Sequence, residues 1–387
     1  MKTYADIAWD YASQLLAIDS PSGFTKNAAL WVRDSFAALG YDAKLTNKGG
    51  ILVDLGGPDG DDGLMLCAHT DTLGGMVAGI KGDGRLKLTG LGGMEPNNGE
   101  SENIRLYTRD GRIYEGALYL HNPSVHVNGD YHTARRTWDS MEVVLDEDVN
   151  SEADARKLGI EVGDIVCFDP RTRRTASGYL KSRFLDDKLS VGILLAFAKY
   201  LKDREISLSR HLWVHVTVYE EVGHGACGSV PADLSEAIAV DMGCVGDGCS
   251  CTERQCSICV KDSSGPYNYD VVGKLIAAAK RENADYAVDV YPHYGSDVDA
   301  TLSAGADIRH GLIGAGVFAS HGYERSHMDG VYNTLLVLKG YLELGCDTTM
   351  RPWRASQTPP SGGFTTNISP AWTNISCPSS PPPSTGV

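Results

Sequence analysis

LMLCAHTD, residues 64–71, is the stretch that decides the fold class. The apolar run Leu64–Ala68 predicts a buried strand, and the strand ends on the polar triplet His69-Thr70-Asp71. The residues before it continue the pattern, with helices predicted over 4–19 and 25–39 and strands over 42–45 and 51–55. Helices that alternate with buried strands indicate an α/β fold. We therefore expect functional side chains just past the carboxyl ends of the strands.

Four later segments repeat this arrangement, in which an apolar run leads into metal-ligand types. They lead into Asp186-Asp187, Glu220-Glu221, Asp241, and a loop that holds His321 and His327. Each segment alone has an ordinary explanation, such as a surface pair, a helix N-cap or a turn. Together with His69, the ordered set favours two neighbouring cations bridged by a carboxylate. Such a site also needs one carboxylate that binds no metal and handles the proton of water.

The remaining sequence predicts a discontinuous catalytic domain with an insert. Helices are predicted over 189–201, 234–237, 271–282 and 331–344, and strands over 212–219, 237–240, 287–291 and 311–317. Short alternating runs and glycine-rich turns between residues 76 and 179 predict a β-rich insert, with one short helix at 151–158. The catalytic domain would then comprise residues 1–75 and 180–347. The Pro-, Ser- and Thr-rich residues 348–387 are expected to be disordered.

Composition excludes several function classes. The net charge of -15 argues against nucleic acid or an acidic membrane surface as the main partner. No stretch approaches the roughly 18 apolar residues of a membrane span, and the amino terminus reads as an amphipathic helix, not a secretory signal. We therefore expect a cytoplasmic protein. The cysteines crowded into residues 244–259 are interpreted as free thiols on a strand and its turn, with an accessory metal site or a disulfide as the alternative.

Six stretches together resemble a known family. They are AHTDTLGGMV, KSRFLDDKLSVG, YEEVGHGACG, AVDMG, YGSDVDATLSAG and ERSHMDG. They resemble the tetrahedral (TET-like) glutamyl aminopeptidases, two-zinc metallo-aminopeptidases of which some carry the name endoglucanase. The resemblance covers about residues 4–345. It implies a mixed-sheet α/β catalytic domain of the zinc-exopeptidase type and an inserted β-rich dimerisation domain over 76–179.

The resemblance also implies a role for each residue of the site. His69 is similar to the first metal ligand, and Asp71 to the acid that orients it. Asp186 resembles the bridging carboxylate, and its peptide bond to Asp187 is often cis in this group. Glu220 resembles the general base. The implied metal ligands are His69, Asp186, Glu221, Asp241 and His327.

The last ligand stays open between two histidines. In the family this histidine usually follows an Arg-Tyr-x pattern, whereas Glu324-Arg325-Ser326 precedes His327 here. We favour His327 and keep His321 as its rival. The two histidines and three carboxylates suit Zn²⁺, with Co²⁺ or Mn²⁺ possible.

The expected activity is hydrolysis of amino-terminal residues from peptides by a metal-activated water. The family's oligomers range from dimers to twelve-subunit tetrahedra, so self-association through the insert is also implied. The stretches KDSSGPYNYD and SHGYERSH resemble a branch found beside genes for an acetylated glutamine-dipeptide osmolyte. Deacylation of an N-acyl amino acid or small peptide is therefore the alternative activity. A metal-bound scaffold would lack the base, and a glycosidase would not need the histidines.

Overall fold

A computed structural model of the chain describes residues 1–343. Its α-helices are α1 Lys2–Leu16, α2 Lys26–Ala38, α3 Pro96–Gly99, α4 Glu152–Lys157, α5 Leu185–Asp203, α6 Tyr269–Arg281, α7 Asp297–Ser303 and α8 Met328–Glu343. Its strands up to residue 182 are β1 Asp42–Leu45, β2 Ile51–Gly56, β3 Gly63–His69, β4 Gly74–Ile80, β5 Leu86–Leu91, β6 Asn103–Tyr107, β7 Ile113–Leu120, β8 Met141–Leu145, β9 Ile165–Phe168, β10 Arg173–Arg174 and β11 Tyr179–Ser182. The later strands are β12 Leu212–Thr217, β13 Leu234–Val240, β14 Gly243–Val245, β15 Cys256–Lys261, β16 Tyr286–Val290, β17 Arg309–Phe318 and β18 Glu324–His327.

A large mixed sheet forms the centre of the described residues. Its main path runs β1-β2-β12-β3-β13-β17-β18-β11-β10, and β14, β15 and β16 extend it beside β17. The central strands β12, β3, β13 and β17 are parallel to one another. Every residue of β3 is buried, as expected for a parallel strand covered on both faces. The predicted mixed α/β class is confirmed.

Helices α1 and α5 show how closely the covering layer is packed. Gly192 of α5 lies against Ala8 and Ala12 of α1, and a Cβ at Gly192 would be 2.4 Å from the Ala8 carbonyl oxygen. A larger residue at position 192 would therefore push the two helices apart. The short side chains at the crossing let α1 stay on the helix that carries Asp186 at its start.

Residues 234–237 do not form the predicted helix. They begin β13, because Leu234 already pairs with Gly63 and Ile238 with both Leu66 and Gly311. The sheet ladder on both sides outweighs the local helical pattern of Leu234–Ala237. The other predicted helices and strands in residues 1–343 are present, with ends that differ by a few residues.

The strands between Gly74 and Phe168 close into a barrel of order β4-β5-β8-β7-β6-β9. This segment accounts for the alternating pattern in the sequence, and α4 is the short helix expected near residue 155. The domain boundaries at 76 and 179, and a role in dimerisation, stay predictions.

Two further expectations concern single segments. The thiols of Cys244, Cys249, Cys251, Cys256 and Cys259 are all free, and they lie on β14, on β15 and on the connection between them. The tail 348–387 lies outside the described residues. Within residues 1–343, none of the helices has the length and apolarity that a membrane crossing requires.

Candidate metal centre

The parallel strands deliver the polar side chains to one edge of the sheet. His69 is the last residue of β3, and Asp241 directly follows β13. Glu220 and Glu221 lie in a short 3₁₀ helix, Glu220–Val222, after β12. Asp186 lies at the start of α5, where its peptide bond to Asp187 is cis. The carboxyl ends of parallel strands meet at one edge, so residues distant in sequence become neighbours.

His69 is the central side chain of this cluster. Its Nε2 lies 3.1 Å from Asp186 Oδ1 and 3.6 Å from Glu220 Oε2. Its Nδ1 lies 3.0 Å from the carbonyl oxygen of Asp71. A carbonyl only accepts, so this contact assigns the proton to Nδ1 and leaves the Nε2 lone pair facing the carboxylates. That tautomer is the one a metal ligand needs.

Asp71 supports two neighbours at once. Its backbone oxygen contacts the His69 ring, and its Oδ1 lies 3.6 Å from His69 Nδ1. The same Oδ1 accepts a hydrogen bond of 3.1 Å from the backbone N–H of Glu220, and Ser22 donates its hydroxyl to Oδ2. Asp71 therefore holds the 3₁₀ helix of the two glutamates in place as well as the histidine.

Two overlapping groups of side chains could bind a metal ion. One is His69, Asp187 and Asp241, and the other is His69, Asp186 and Glu221; within each group the ligand atoms lie within 4.8 Å of one another. Two buried carboxylate oxygens here, Glu221 Oε1 and Asp187 Oδ1, accept no hydrogen bond. Buried polar atoms are normally satisfied, so oxygens without a hydrogen-bond partner beside an imidazole suit the binding of a cation. Asp187 is not among the predicted ligands, although the sequence places it directly after Asp186.

His321, and not His327, reaches this cluster. The His321 Nε2 lies 3.4 Å from Asp186 Oδ2 and 3.6 Å from Glu221 Oε2. The His327 Nε2 instead lies 2.8 Å from the Ser177 carbonyl oxygen, and its Nδ1 accepts from the Asp329 N–H at 2.9 Å. The structure therefore places His321, and not the favoured His327, beside the other candidate ligands.

The direction of β18 explains why His327 lies away from the cluster. It runs antiparallel to β11, which places Glu324 opposite Ser182, near Asp186, and His327 opposite Tyr179, at the far end. His321 lies in the loop between β17 and β18, past the carboxyl end of β17, as the other site residues lie past theirs. The sequence does not reveal that the chain reverses between the two histidines.

Glu324 is a residue of the site that the sequence did not identify. Its carboxylate accepts the backbone N–H of Asp186 at 3.0 Å and that of His321 at 2.9 Å. Burial and the nearby Asp186 raise the pKa of Glu324 to about 8. The carboxyl group ties the start of α5 to the His321 loop. The available signal was an acidic residue between the two candidate histidines.

Comparisons with known proteins agree with this arrangement. The family model described as M42 glutamyl aminopeptidase matches residues 49–336. YhfE of Bacillus subtilis (strain 168), named as a candidate aminopeptidase, is 41% identical over 330 residues, which cover 85% of this chain and 95% of YhfE. The chain belongs to the M42 glutamyl aminopeptidase family.

Two more distant similarities, at 25% and 21% identity, are to a lysyl aminopeptidase and to a TET1 peptidase. The lysyl aminopeptidase of Pyrococcus furiosus is 25% identical over 242 residues, covering 61% of this chain and 66% of that protein. The TET1 peptidase of Pyrococcus horikoshii has a TM-score of 0.76 at 21% identity, with 87% of this chain and 99% of that chain covered. The latter likeness supports the fold. As an M42 member the chain is a hydrolase of peptide bonds, and its activity is that of an aminopeptidase.

The M42 site opens into a cavity of about 710 Å³. Asp186, Glu220, Glu221, Asp241 and His321 line one part of it. The rest of its wall comes from the loop after Gly223, from Ser263-Ser264 and from residues 293–304. A substrate in this cavity would therefore meet both the cluster and the residues of α7.

The M42 site contains more carboxyl groups than imidazoles, and this imbalance contributes to the shifted pKa values of its residues. Burial raises the pKa of Glu220 well above its usual range, with Asp241 adding to this and His69 opposing it. Burial and Asp186 do the same to Glu221, and raise the pKa of Asp241 to about 7. The hydrogen bond with Asp186 raises the pKa of His321 to about 9. The site thus holds more carboxyl groups than its two histidines can offset, and the raised pKa values reflect the cost of ionising all of them together.

Proposed function

We propose that this M42 aminopeptidase binds two divalent metal ions with His69, Asp186, Glu221, Asp241 and His321, and that Glu220 moves the proton. Asp186 is the bridging carboxylate in this proposal. The single observation that carries it is the contact of Asp186 with both histidines, through Oδ1 to His69 and Oδ2 to His321. One carboxylate with an imidazole on each oxygen suits a bridge between two ions.

The chemistry of the donors supports this assignment. Imidazole nitrogens and carboxylate oxygens are the ligands of Zn²⁺, Co²⁺ and Mn²⁺. Ions at this site would satisfy Glu221 Oε1 and offset the surplus negative charge. Zinc is the proposed metal because it is a strong Lewis acid without redox chemistry. Held there, divalent ions supply Lewis acidity towards a peptide carbonyl and lower the pKa of water.

Glu220 is suited to proton transfer by its position. It lines the cavity, yet it belongs to neither group of candidate ligands. The hydrogen bond from its N–H to Asp71 fixes its backbone. In the proposed reaction the Glu220 carboxylate takes a proton from the attacking water and returns it to the leaving amine.

Glu220→Gln tests the division of roles between the two neighbouring glutamates. We expect turnover of aminoacyl anilides to fall by about 10²–10⁴-fold, because a general base contributes that much. Metal content, measured by elemental analysis, should stay at the wild-type value of two ions per chain. Glu221→Gln should lower both. Glu147→Gln, on an exposed residue of the barrel segment, is the control and should change neither.

Three outcomes would overturn parts of the proposal. Loss of metal from Glu220→Gln would make this residue a ligand. Full activity after removal of divalent ions would end the metal mechanism. Cleavage of N-acetyl amino acids in preference to free amino termini would favour the amidohydrolase alternative.

Assembly and compartment belong to the same proposal. The TET1 peptidase of Pyrococcus horikoshii can assemble into a tetrahedron or a large octahedral shell. We propose that this chain also self-associates through the barrel of β4–β9, in the cytoplasm, with peptides as substrates and neither nucleic acid nor membrane as partner. Native mass of the purified protein, compared with that of a variant altered on the barrel, tests the first point.

A further inference from the structure

The cavity has a second stretch of wall, which contains none of the proposed metal ligands and takes no part in the proposed mechanism. It is formed by one face of α7 together with the residue on either side of this helix. The residues on this face are Ser296, Asp299, Ala300, Ser303 and Ala304. Apart from Asp299, all of these side chains are small. Room is therefore left at this wall for the side chain of a substrate's first residue.

The charge of this wall has one sign. Among the described residues that line the cavity, Asp299 is the carboxylate outside the metal centre, and neither lysine nor arginine contributes to the lining. The neighbouring residues Ser263, Ser264 and Tyr294 carry hydroxyl groups, and His293 carries an imidazole. A carboxylate-bearing side chain would therefore meet neither a lysine nor an arginine here.

Asp299 is held firmly by the start of its own helix. Its Oδ2 accepts the Ser296 N–H at 2.9 Å and the Ser296 hydroxyl at 3.1 Å. The Tyr267 hydroxyl lies 3.5 Å from the same oxygen and donates to Asp262 at 2.6 Å. A carboxylate fixed in this way loses little side-chain entropy when it binds a ligand.

A second carboxyl group stands behind the first. Asp262 is fully buried, and it accepts the backbone N–H groups of Ser264 and Gly265. Burial, and then contact with Asp262, raise the pKa of Asp299 to about 7. Two adjacent carboxyl groups repel each other when both are ionised. A cation brought to Asp299 by a substrate would relieve that repulsion.

We propose that this wall selects amino-terminal residues with cationic side chains, lysine or arginine, over glutamate and aspartate, and that Asp299 determines this specificity. The inference rests on the proposed aminopeptidase site. The proposed preference differs from the residue in the glutamyl name of the family and matches the residue in the name of the Pyrococcus furiosus lysyl aminopeptidase. The basis of the inference is the sign of the charge in the cavity, and neither name contributes to it.

A panel of aminoacyl anilides carrying Lys, Arg, Leu, Ala or Glu tests the proposal on the metal-loaded protein. We expect kcat/KM for Lys to exceed that for Glu at least about tenfold, because like charges in contact disfavour binding. Asp299→Asn keeps the size of the side chain and removes its charge. It should lower the Lys-to-Leu ratio roughly fivefold or more, through the KM for Lys.

Two matched controls separate specificity from stability. Asp307→Asn removes an exposed carboxylate that does not line the cavity, and it should leave every ratio unchanged. Ser303→Lys adds a cation to the wall without touching the helix cap, and it should raise the Glu-to-Leu ratio relative to Ser303→Ala. If Asp299 were merely structural, Asp299→Asn would slow all substrates alike.

The outcomes distinguish this inference from the function beneath it. Inactivity towards the whole panel would refute the aminopeptidase site. Activity with Glu preferred to Lys would refute the specificity alone. Unchanged ratios in both Asp299→Asn and Ser303→Lys would do the same, and if Asp299→Asn does not fold, Ser303→Lys decides.

Discussion

The barrel and the metal centre each contain glutamates whose side chains are at most 15% exposed, and the groups around these side chains differ in one respect. In the barrel, the side chain of Glu142 on β8 is 4% exposed and contacts Lys81, Arg85 and His121. Burial opposes its ionisation, yet these three partners lower its pKa below the usual value. At the metal centre, burial is the main cause that raises the pKa of Glu220 and Glu221, and neighbouring carboxylates raise it further.

The difference teaches how to recognise a functional cluster in this fold. A carboxylate buried for stability is accompanied by its cations, as Glu142 is and as Glu236 is by Arg210. A group buried without them costs free energy in the absence of a ligand. The cluster at the carboxyl ends of the strands therefore needs a cation from outside the chain.

The largest expected effect comes from replacing His321 and His327 one at a time, which tests whether the acidic cluster binds a metal through His321. His321→Ala should lower kcat/KM at least about 100-fold and reduce bound metal, since even partners behind a metal ligand cost 10–100-fold. His327→Ala should lower activity only a few-fold, because both of its ring nitrogens are occupied by Ser177 and Asp329.

Elemental analysis of both variants, alongside anilide kinetics, makes the measurement. The reverse result, with metal lost from His327→Ala and kept by His321→Ala, would restore the ligand that the sequence favoured. Equal losses in both would mean that the loop between them acts as one unit.

The next effect concerns the loop that carries the two glutamates. Asp297, buried in α7, accepts the Thr217 hydroxyl at 2.7 Å, while its Oδ1 faces Gly225. A Cβ at Gly225 would be 1.7 Å from that oxygen. Gly225→Ala should therefore displace the loop and lower kcat roughly 10–100-fold, since a shift of about 1 Å can cost that much.

Gly228→Ala is the matched control in the same loop, because a Cβ there meets nothing within 4 Å. Kinetics and thermal unfolding of both variants test the contact. Wild-type kcat in Gly225→Ala would show that the loop tolerates the change. The acidic cluster would then not depend on the close packing of Gly225 against Asp297.

The sequence was sufficient to predict the central sheet and most of the cluster. Apolar runs such as Leu64–Ala68 predict strands because burial on both faces demands them, and ligand types at the strand ends indicate the site. What it could not supply was strand direction. The reversal between His321 and His327 depends on the pairing of β18 with β11, which no local pattern contains.

Support residues were equally hard to predict. Glu324 acts through two backbone N–H groups, and Asp299 through a helix cap and a buried neighbour. These contacts join residues whose proximity comes only from the fold. Residues 234–237 were predicted to be helical, instead of the start of β13, for the same reason, since their strand partners lie far away along the chain.

The smallest expected effect concerns Glu142, the barrel carboxylate that is paired with cations. Glu142→Gln should reduce the free energy of unfolding by about 1–3 kcal/mol at pH 7, because Lys81 and Arg85 lose their charged partner. The loss is no larger because both cations are partly exposed and solvent screens them. Because the folded-state pKa of Glu142 is lowered, its contribution is present above the unfolded pKa of about 4.3 and is lost as pH falls through the folded value. Denaturant unfolding should therefore show the deficit at pH 7 and a shrinking one below about pH 4. Glu115→Gln, on an exposed position of the adjacent β7, should show no deficit at either pH. A Glu142→Gln protein as stable as wild type at pH 7 would mean that burial cancels the ion pairs, and the contrast with the metal centre would be one of degree.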